Sequence, residues 1–416
     1  MTPVPAEAVK NTKGAAGKNN SFIVPGFSAA AVAAEIKKGK IRPDLGLIVS
    51  EVPAVVSGVF TRNSVKAAPL QISLERIRLQ SGRAILVNSG NANACTGSLG
   101  LQDARKLSRA LARQLSIPEN QVFLASTGVI GQRLPLARML KALPSLKPAL
   151  SAQNLPAVAE AIMTTDTFAK IQSRVQRIGG KAVHMVGLAK GAGMIHPDMA
   201  TMLCFVITDL NIAPDLLDSL LKKATEGSFN SITVDGDTST NDTLLVMANG
   251  LAGNSRLKDP LSPGVKTFSR ALEGLLSDLA RMIVRDGEGA TKEVTIQIDG
   301  AKSAAEARLL AMTIATSPLV KTALFGQDAN WGRILAAMGR SGVVFDPEKV
   351  NLFFDRIQVV AKGISTGPQQ EGLAGKVLKK RAFTIRVDLH QGKTRAKIFT
   401  CDLSLDYVRI NADYRT

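Results

Sequence analysis

The strongest constraint in this sequence is an alternation, sustained along most of the chain, between short apolar runs and longer segments whose leucines recur every three or four residues. Residues 45–49 and 84–87 read as strands, and 101–115 as a helix with Leu107, Leu111 and Leu115 on one face, stopped by Pro118. Residues 122–125 form a strand that empties into Ser126-Thr127-Gly128, and a helix over 156–163 enters Thr164-Thr165-Asp166-Thr167. Further on come a strand over 203–207 and a helix over 214–224. A long helix opens at Ser262-Pro263, carries Val265, Phe268, Leu272, Leu275, Leu276, Leu279 and Ile283 as a stripe, and ends at Asp286-Gly287-Glu288-Gly289. The remainder predicts a strand over 294–298, helices over 303–315 and 331–338, β-like runs over 353–360, 383–389 and 398–403, and a Gly/Gln-rich turn over 363–375. Segments that switch period this way predict a mixed α/β layered fold.

With 416 residues there is material for two or three domains, each able to bury a core. Hydrophobic residues at 45% and charged residues at 21% exclude collagen-like, coiled-coil and wholly disordered chains. Cys95, Cys204 and Cys401 are far apart and lack C-x-x-C spacing, which argues against zinc and for a reducing, cytoplasmic setting. The apolar runs break well before the roughly 18–20 residues of a membrane span, so a soluble protein is expected. Residues 1–20 are polar, without the apolar core of a secretory signal, and read as a mobile leader. The formal charge of +18 raises nucleic acid as a partner; aromatics at 4% leave few stacking platforms, and the basic residues are scattered, so solvated faces explain them better.

Familiar catalytic motifs are missing. The leader's Gly14-Ala15-Ala16-Gly17-Lys18-Asn19 is too short and wrongly finished for a phosphate cradle. His184, His196 and His390 share no metal-ligand spacing, and no G-x-S-x-G signals a serine triad. The run from Asp235 to Asp242 has the oxygen donors of a calcium loop but no closing Glu, and reads as Asx-turns. The unusual segment is Lys190-Gly191-Ala192-Gly193-Met194-Ile195-His196-Pro197-Asp198-Met199-Ala200-Thr201-Met202-Leu203, a loosened and bent loop entering an apolar strand with Thr201 at its threshold. A threonine there can simply begin a strand. Alternatively its hydroxyl attacks the Ala200 carbonyl, and hydrolysis of the ester leaves Thr201 with a free α-amine of pKa about 8. Nucleophile and base then share one residue, which suits a chain poor in His and Cys. Thr127-Gly128 could supply a hydroxyl and a backbone N–H to an oxyanion.

The run 190–203, together with 126–131, Thr164-Thr165-Asp166-Thr167, 230–237 and the ending Asn411-Ala412-Asp413-Tyr414-Arg415-Thr416, resembles the glutamate N-acetyltransferase / ornithine acetyltransferase family of arginine biosynthesis. The motifs fall in family order and cover nearly the whole chain after the leader. The resemblance implies a two-domain αβ sandwich that cuts itself between Ala200 and Thr201, giving an α chain (21–200 after the leader) and a β chain (201–416) that assemble as α2β2. It implies Thr201 as the acetyl-accepting nucleophile, Thr127 and Gly128 as the oxyanion pair, and Thr164, Lys190, Thr201, Glu288, Asn411 and Thr416 as substrate-binding positions. Lys190 suits a substrate carboxylate and Glu288 an ammonium group; Thr165 and Thr167 could exchange roles with Thr164. The implied cycle is ping-pong: N-acetylornithine acylates Thr201, ornithine leaves, and glutamate takes the acetyl group. No metal or resident cofactor is implied, and some members accept acetyl-CoA as donor. A hydrolytic alternative stays open, an N-terminal-nucleophile amidase or aminopeptidase that passes its acyl group to water.

Overall fold

In the computed structural model, residues 22–37, 42–196 and 202–412 are described. The chain runs β1 (Phe27–Val32), β2 (Leu45–Phe60), α1 (Ala68–Arg76), β3 (Ser81–Asn91), α2 (Gly97–Leu115), β4 (Val122–Val129), α3 (Leu136–Leu146) and α4 (Leu155–Ala161). Then follow β5 (Lys170–Ile178), β6 (Lys181–Lys190), β7 (Leu203–Thr208), α5 (Pro214–Glu226), β8 (Ile232–Thr233), β9 (Thr243–Ala248) and α6 (Pro263–Arg285). The last part comprises β10 (Glu293–Ala301), α7 (Ala304–Ala315), α8 (Pro318–Phe325), α9 (Trp331–Gly339), β11 (Asn351–Phe354), β12 (Ile357–Ala361), β13 (Ile364–Ser365), α10 (Pro368–Leu378), β14 (Ala382–Asp388), β15 (Thr394–Cys401) and α11 (Leu405–Ala412).

The first sheet has the order β4-β3-β2-β9-β7-β6-β5, with β1 added against β2. Strand β2 is long enough to belong to two layers. Its start (Leu45 to Val49) pairs with β1 and β3, the register breaks between Val49 and Ala54, and its end (Val55 to Phe60) pairs with β9. One apolar cluster joins Ile48, Ile85, Val87 and Phe123 to Val186, Leu188, Phe205, Ile207 and Met247, so the two parts of the sheet face each other across a shared core. On the outer side of β2–β4, Leu47, Leu86 and Leu124 pack on α1, α2 and α3. On the outer side of β9, β7 and β6, Val246, Val206 and Met185 pack on α5 and α6. The result is a helix–sheet–sheet–helix sandwich. Strand β7 is buried on both faces, which is why it reads as an unbroken apolar run rather than an alternating one.

The second sheet, β13-β12-β11-β14-β10-β15-β8, packs its own core against α7, α8, α9 and α10. Helix α6 touches both units, lying on β5 and β6 of one and β15 of the other. Its cap is as the sequence predicts: Ser262 accepts from the Val265 N–H, with Pro263 in the first turn. Leu272, Leu275, Leu276 and Leu279 are fully buried, each contributing about 1.5–3 kcal/mol of transfer free energy.

Two expectations are corrected. The run 353–360 is a hairpin rather than one strand, because Asp355 takes a left-handed turn (φ 51°) and its carboxylate accepts from the Thr384 N–H at 2.9 Å. The Gly/Gln-rich stretch 363–375 is largely helical: Pro368 starts α10, Ala374, Val377 and Leu378 are buried, and Glu371 accepts from the Trp331 indole N–H at 2.8 Å. The leader, 1–20, lies outside the described residues, and among those described no helix is long and apolar enough to cross a membrane.

Candidate active site

At one end of the sandwich, where β4 and β6 finish, a cavity of about 240 Å³ opens. Thr127, Gly128, Thr164, Lys190, Glu288 and Asn411 all line it, although they come from β4, the segment after α4, the end of β6, the segment after α6, and α11. Thr201, Ala200 and Thr416 lie outside the described residues.

Gly128 has a conformation that only glycine tolerates here. Its φ is 132°, and an added Cβ would stand 2.3 Å from the Gly90 carbonyl carbon and 2.5 Å from the Asn91 nitrogen. The cause is a register shift between β3 and β4 at Gly90 and Asn91. Asn241 braces the same turn, its amide donating to the Ala92 carbonyl at 2.7 Å and the Ser126 carbonyl at 2.8 Å. Beside it the buried Lys190 ammonium donates to the Thr127 hydroxyl oxygen at 3.3 Å. A hydroxyl that accepts from an ammonium keeps its own proton to donate, so Thr127 is arranged as a donor into the cavity.

Burial pushes the Lys190 amine below the usual lysine range, and Asp166 is the strongest force opposing that shift. Glu288 forms another wall: its Oε2 accepts from the Asn411 amide at 2.9 Å, which ties α11 to the cavity, and its own N–H donates to the Ala192 carbonyl at 2.9 Å. Gly193 passes so close that a Cβ there would lie 2.4 Å from the Glu288 carboxylate. Of the three threonines left open by the sequence, Thr164 and Thr165 line the cavity, whereas the Thr167 hydroxyl donates to Asp286.

Beneath the cavity lies a polar layer that sequence reasoning missed. Lys170, fully buried, bridges Asp166 at 2.7 Å and Asp286 at 2.5 Å. Asp166 also accepts from the Gly191 N–H at 2.8 Å and the Thr164 N–H at 2.9 Å. Against the cost of burial, the Lys190 and Lys170 charges hold the Asp166 carboxyl well below the usual carboxylate range. Such a depressed group stabilises the fold fully above its unfolded value of about 3.9, and the contribution is lost as pH falls below that value toward the folded one. Lys170→Met strands two buried carboxylates; urea denaturation at neutral pH should register a loss of about 3–5 kcal/mol. The only sequence signal for this layer was Asp166 inside the Thr-rich quartet; Lys170 begins a strand and Asp286 ends a helix, neither of them unusual.

Asp242, wholly buried at the start of β9, accepts the Met202 N–H at 3.0 Å, and burial pushes its carboxyl well above the usual range. Its other oxygen has no partner among the described residues. Asp235 accepts from the Asp237 N–H, an Asx-turn of the kind the sequence predicts for this loop, and from the N–H groups of Met194 and Ile195, which fasten the segment after β6 to it. His184 pairs with Asp209 at 2.7 Å, away from the cavity lining. Among the described residues no group of three or more His, Cys, Asp or Glu side chains is arranged to hold a metal ion.

Comparison with known proteins gives one family. The ArgJ family model matches residues 28–416. The arginine biosynthesis bifunctional protein ArgJ of Geobacter sulfurreducens is 51% identical over 94% of this chain and 100% of its own length. Its counterpart in Syntrophotalea carbinolica is 50% identical over 94% and 99%. A crystal structure of the Bacillus halodurans protein of that name aligns at 44% identity and TM-score 0.48 over 50% of this chain and 97% of that one. Half identity spread over almost the full length of both chains leaves one conclusion: the protein belongs to the ArgJ family.

Proposed function

We propose that this chain cuts itself between Ala200 and Thr201 and then carries an acetyl group from N-acetylornithine to glutamate as an ester on Thr201. The observation that carries the reading is the convergence of Thr127, Gly128, Thr164, Lys190, Glu288 and Asn411 on one cavity from separate parts of the chain. The family assignment supports it, since the ArgJ relatives are named as bifunctional proteins of arginine biosynthesis.

In this reading the Thr201 α-amine takes the hydroxyl proton as its oxygen attacks the acetyl carbonyl. The Thr127 O–H and Gly128 N–H stabilise the oxyanion, and the departing ornithine amine takes the proton back. Glutamate then reverses these steps through its own amine. Lys190 pairs with the substrate carboxylate and Glu288 with an ammonium group, with Thr164, Asn411 and Thr416 adding polar contacts. The word bifunctional in the relatives' names supports acetyl-CoA as a second donor to glutamate. The same reading makes the working form a cytoplasmic α2β2 assembly.

Intact-mass measurement paired with acetyl-transfer assays tests the proposal. Two chains meeting at Ala200/Thr201 and N-acetylglutamate formed from N-acetylornithine support it. Release of acetate without N-acetylglutamate would favour the hydrolytic alternative. Gly193→Ala offers a finer check: the new methyl displaces the Glu288 carboxylate, so KM should rise about tenfold (about 1.4 kcal/mol) with little change in melting temperature. An unchanged KM would argue against Glu288 as the ammonium partner.

A further inference from the structure

We propose that Asp166 is a positioning residue for substrate binding, keeping the Lys190 ammonium charged and clamping the Thr164 segment to the end of β6. This rests on the reading of Lys190 as the partner of a substrate carboxylate. Lys190 is buried, and its ammonium donates to a neutral hydroxyl at 3.3 Å, a poor counterpart for a charge removed from water. Its charge therefore depends on the carboxylates around it.

Among the described residues, the main groups acting on Lys190 are Asp166, Glu288 and Asp242, which favour its charge, and Lys170 and Lys37, which oppose it. Glu288 is engaged by Asn411, and Asp242 is pushed toward its neutral form. Asp166 is fixed from three directions, by the Lys170 ammonium, the Gly191 N–H next to Lys190, and the Thr164 N–H. Its carboxylate thus joins the two segments that bring Lys190 and Thr164 to the cavity.

The charges explain the second lysine. Asp166 and Asp286 balance Lys170 and Lys190. Replacing Asp166 by a neutral residue leaves an excess positive charge in a dry region, and one lysine must tend to lose its proton. Lys170 keeps Asp286 at 2.5 Å, whereas among the described residues Lys190 keeps only the Thr127 hydroxyl as a side-chain hydrogen-bond partner, so Lys190 yields. A lysine recovers its charge as pH falls, so the resulting defect should be repaired by acid, which a purely structural lesion would not be.

The experiment compares Asp166→Asn, Asp166→Glu and wild type by kcat/KM for glutamate at pH 6.5, 7.5 and 8.5, with melting temperature as a check on folding. Asp166→Asn should be at least tenfold below wild type at pH 8.5, and that gap should narrow at least threefold by pH 6.5. Asp166→Glu, which retains the charge, should differ from wild type by a factor that does not vary with pH. A gap of the same size at every pH, or none, overturns the proposal. If Asp166→Asn yields no folded protein, Asp166→Glu decides: a pH-independent ratio to wild type supports the proposal, and a gap widening toward alkaline pH overturns it. Absence of transfer by the wild type would overturn the functional reading and this inference with it, whereas a transferring wild type with a pH-independent Asp166→Asn gap removes this inference alone.

Discussion

Thr201→Ala is expected to purify as a single uncut polypeptide and to transfer acetyl groups about 10⁵-fold or more slowly than wild type, a loss of roughly 7 kcal/mol of transition-state stabilisation. Removing this hydroxyl takes away the attacking group for the cut and for transfer together. The lost cut also withholds the amine that serves as base. Thr201→Ser separates these effects: it keeps a hydroxyl in the same place and should cut and transfer, more slowly than wild type. A denaturing gel and a transfer assay on the three proteins check the result. Wild-type protein that transfers acetyl groups as one intact chain would count against the shared nucleophile and base.

The second large effect concerns the oxyanion pair. Thr127→Val keeps the shape of the side chain and removes its donor, so kcat should fall about 10²–10³-fold, or 2.7–4 kcal/mol. Gly128→Ala should match that loss and add a stability defect of about 1–3 kcal/mol, because its methyl would stand 2.3 Å from the backbone of β3 at a φ that alanine rarely adopts. Both should melt below wild type, Thr127→Val because it takes the hydroxyl acceptor from the buried Lys190 ammonium and Gly128→Ala through backbone strain. A Thr127→Val enzyme within threefold of wild-type kcat would remove the hydroxyl from the oxyanion role.

Much of the layered fold was legible because burial and periodicity coincide. The stripe on α6, the helix α2 and the fully buried β7 carry the pattern of their surroundings in their own residues. The hairpin at Asp355 and the helix α10 were not legible, since a left-handed aspartate and a glycine-containing helix are decided by tertiary partners, Thr384 in one case and Trp331 in the other. The cavity wall was readable as far as its motifs stood out, as with Thr127-Gly128 and Lys190. Lys170 and Asp286 were hidden because their meaning comes from each other, 116 residues apart in sequence. The bend that lets β2 serve two layers had one signal, Pro53, whose missing N–H falls where the register breaks between Val49 and Ala54.

The order of strands in the first sheet bears on what a severed backbone would do. Strand β7 pairs with β6 on one side and β9 on the other, and β9 pairs in turn with β2. A nick ahead of β7 would therefore leave β9 and β7 of the second fragment wedged between β2 and β6 of the first within a single hydrogen-bonded ribbon. Such fragments have no seam along which to separate, so they should co-migrate through any native column and part only when the whole sandwich melts.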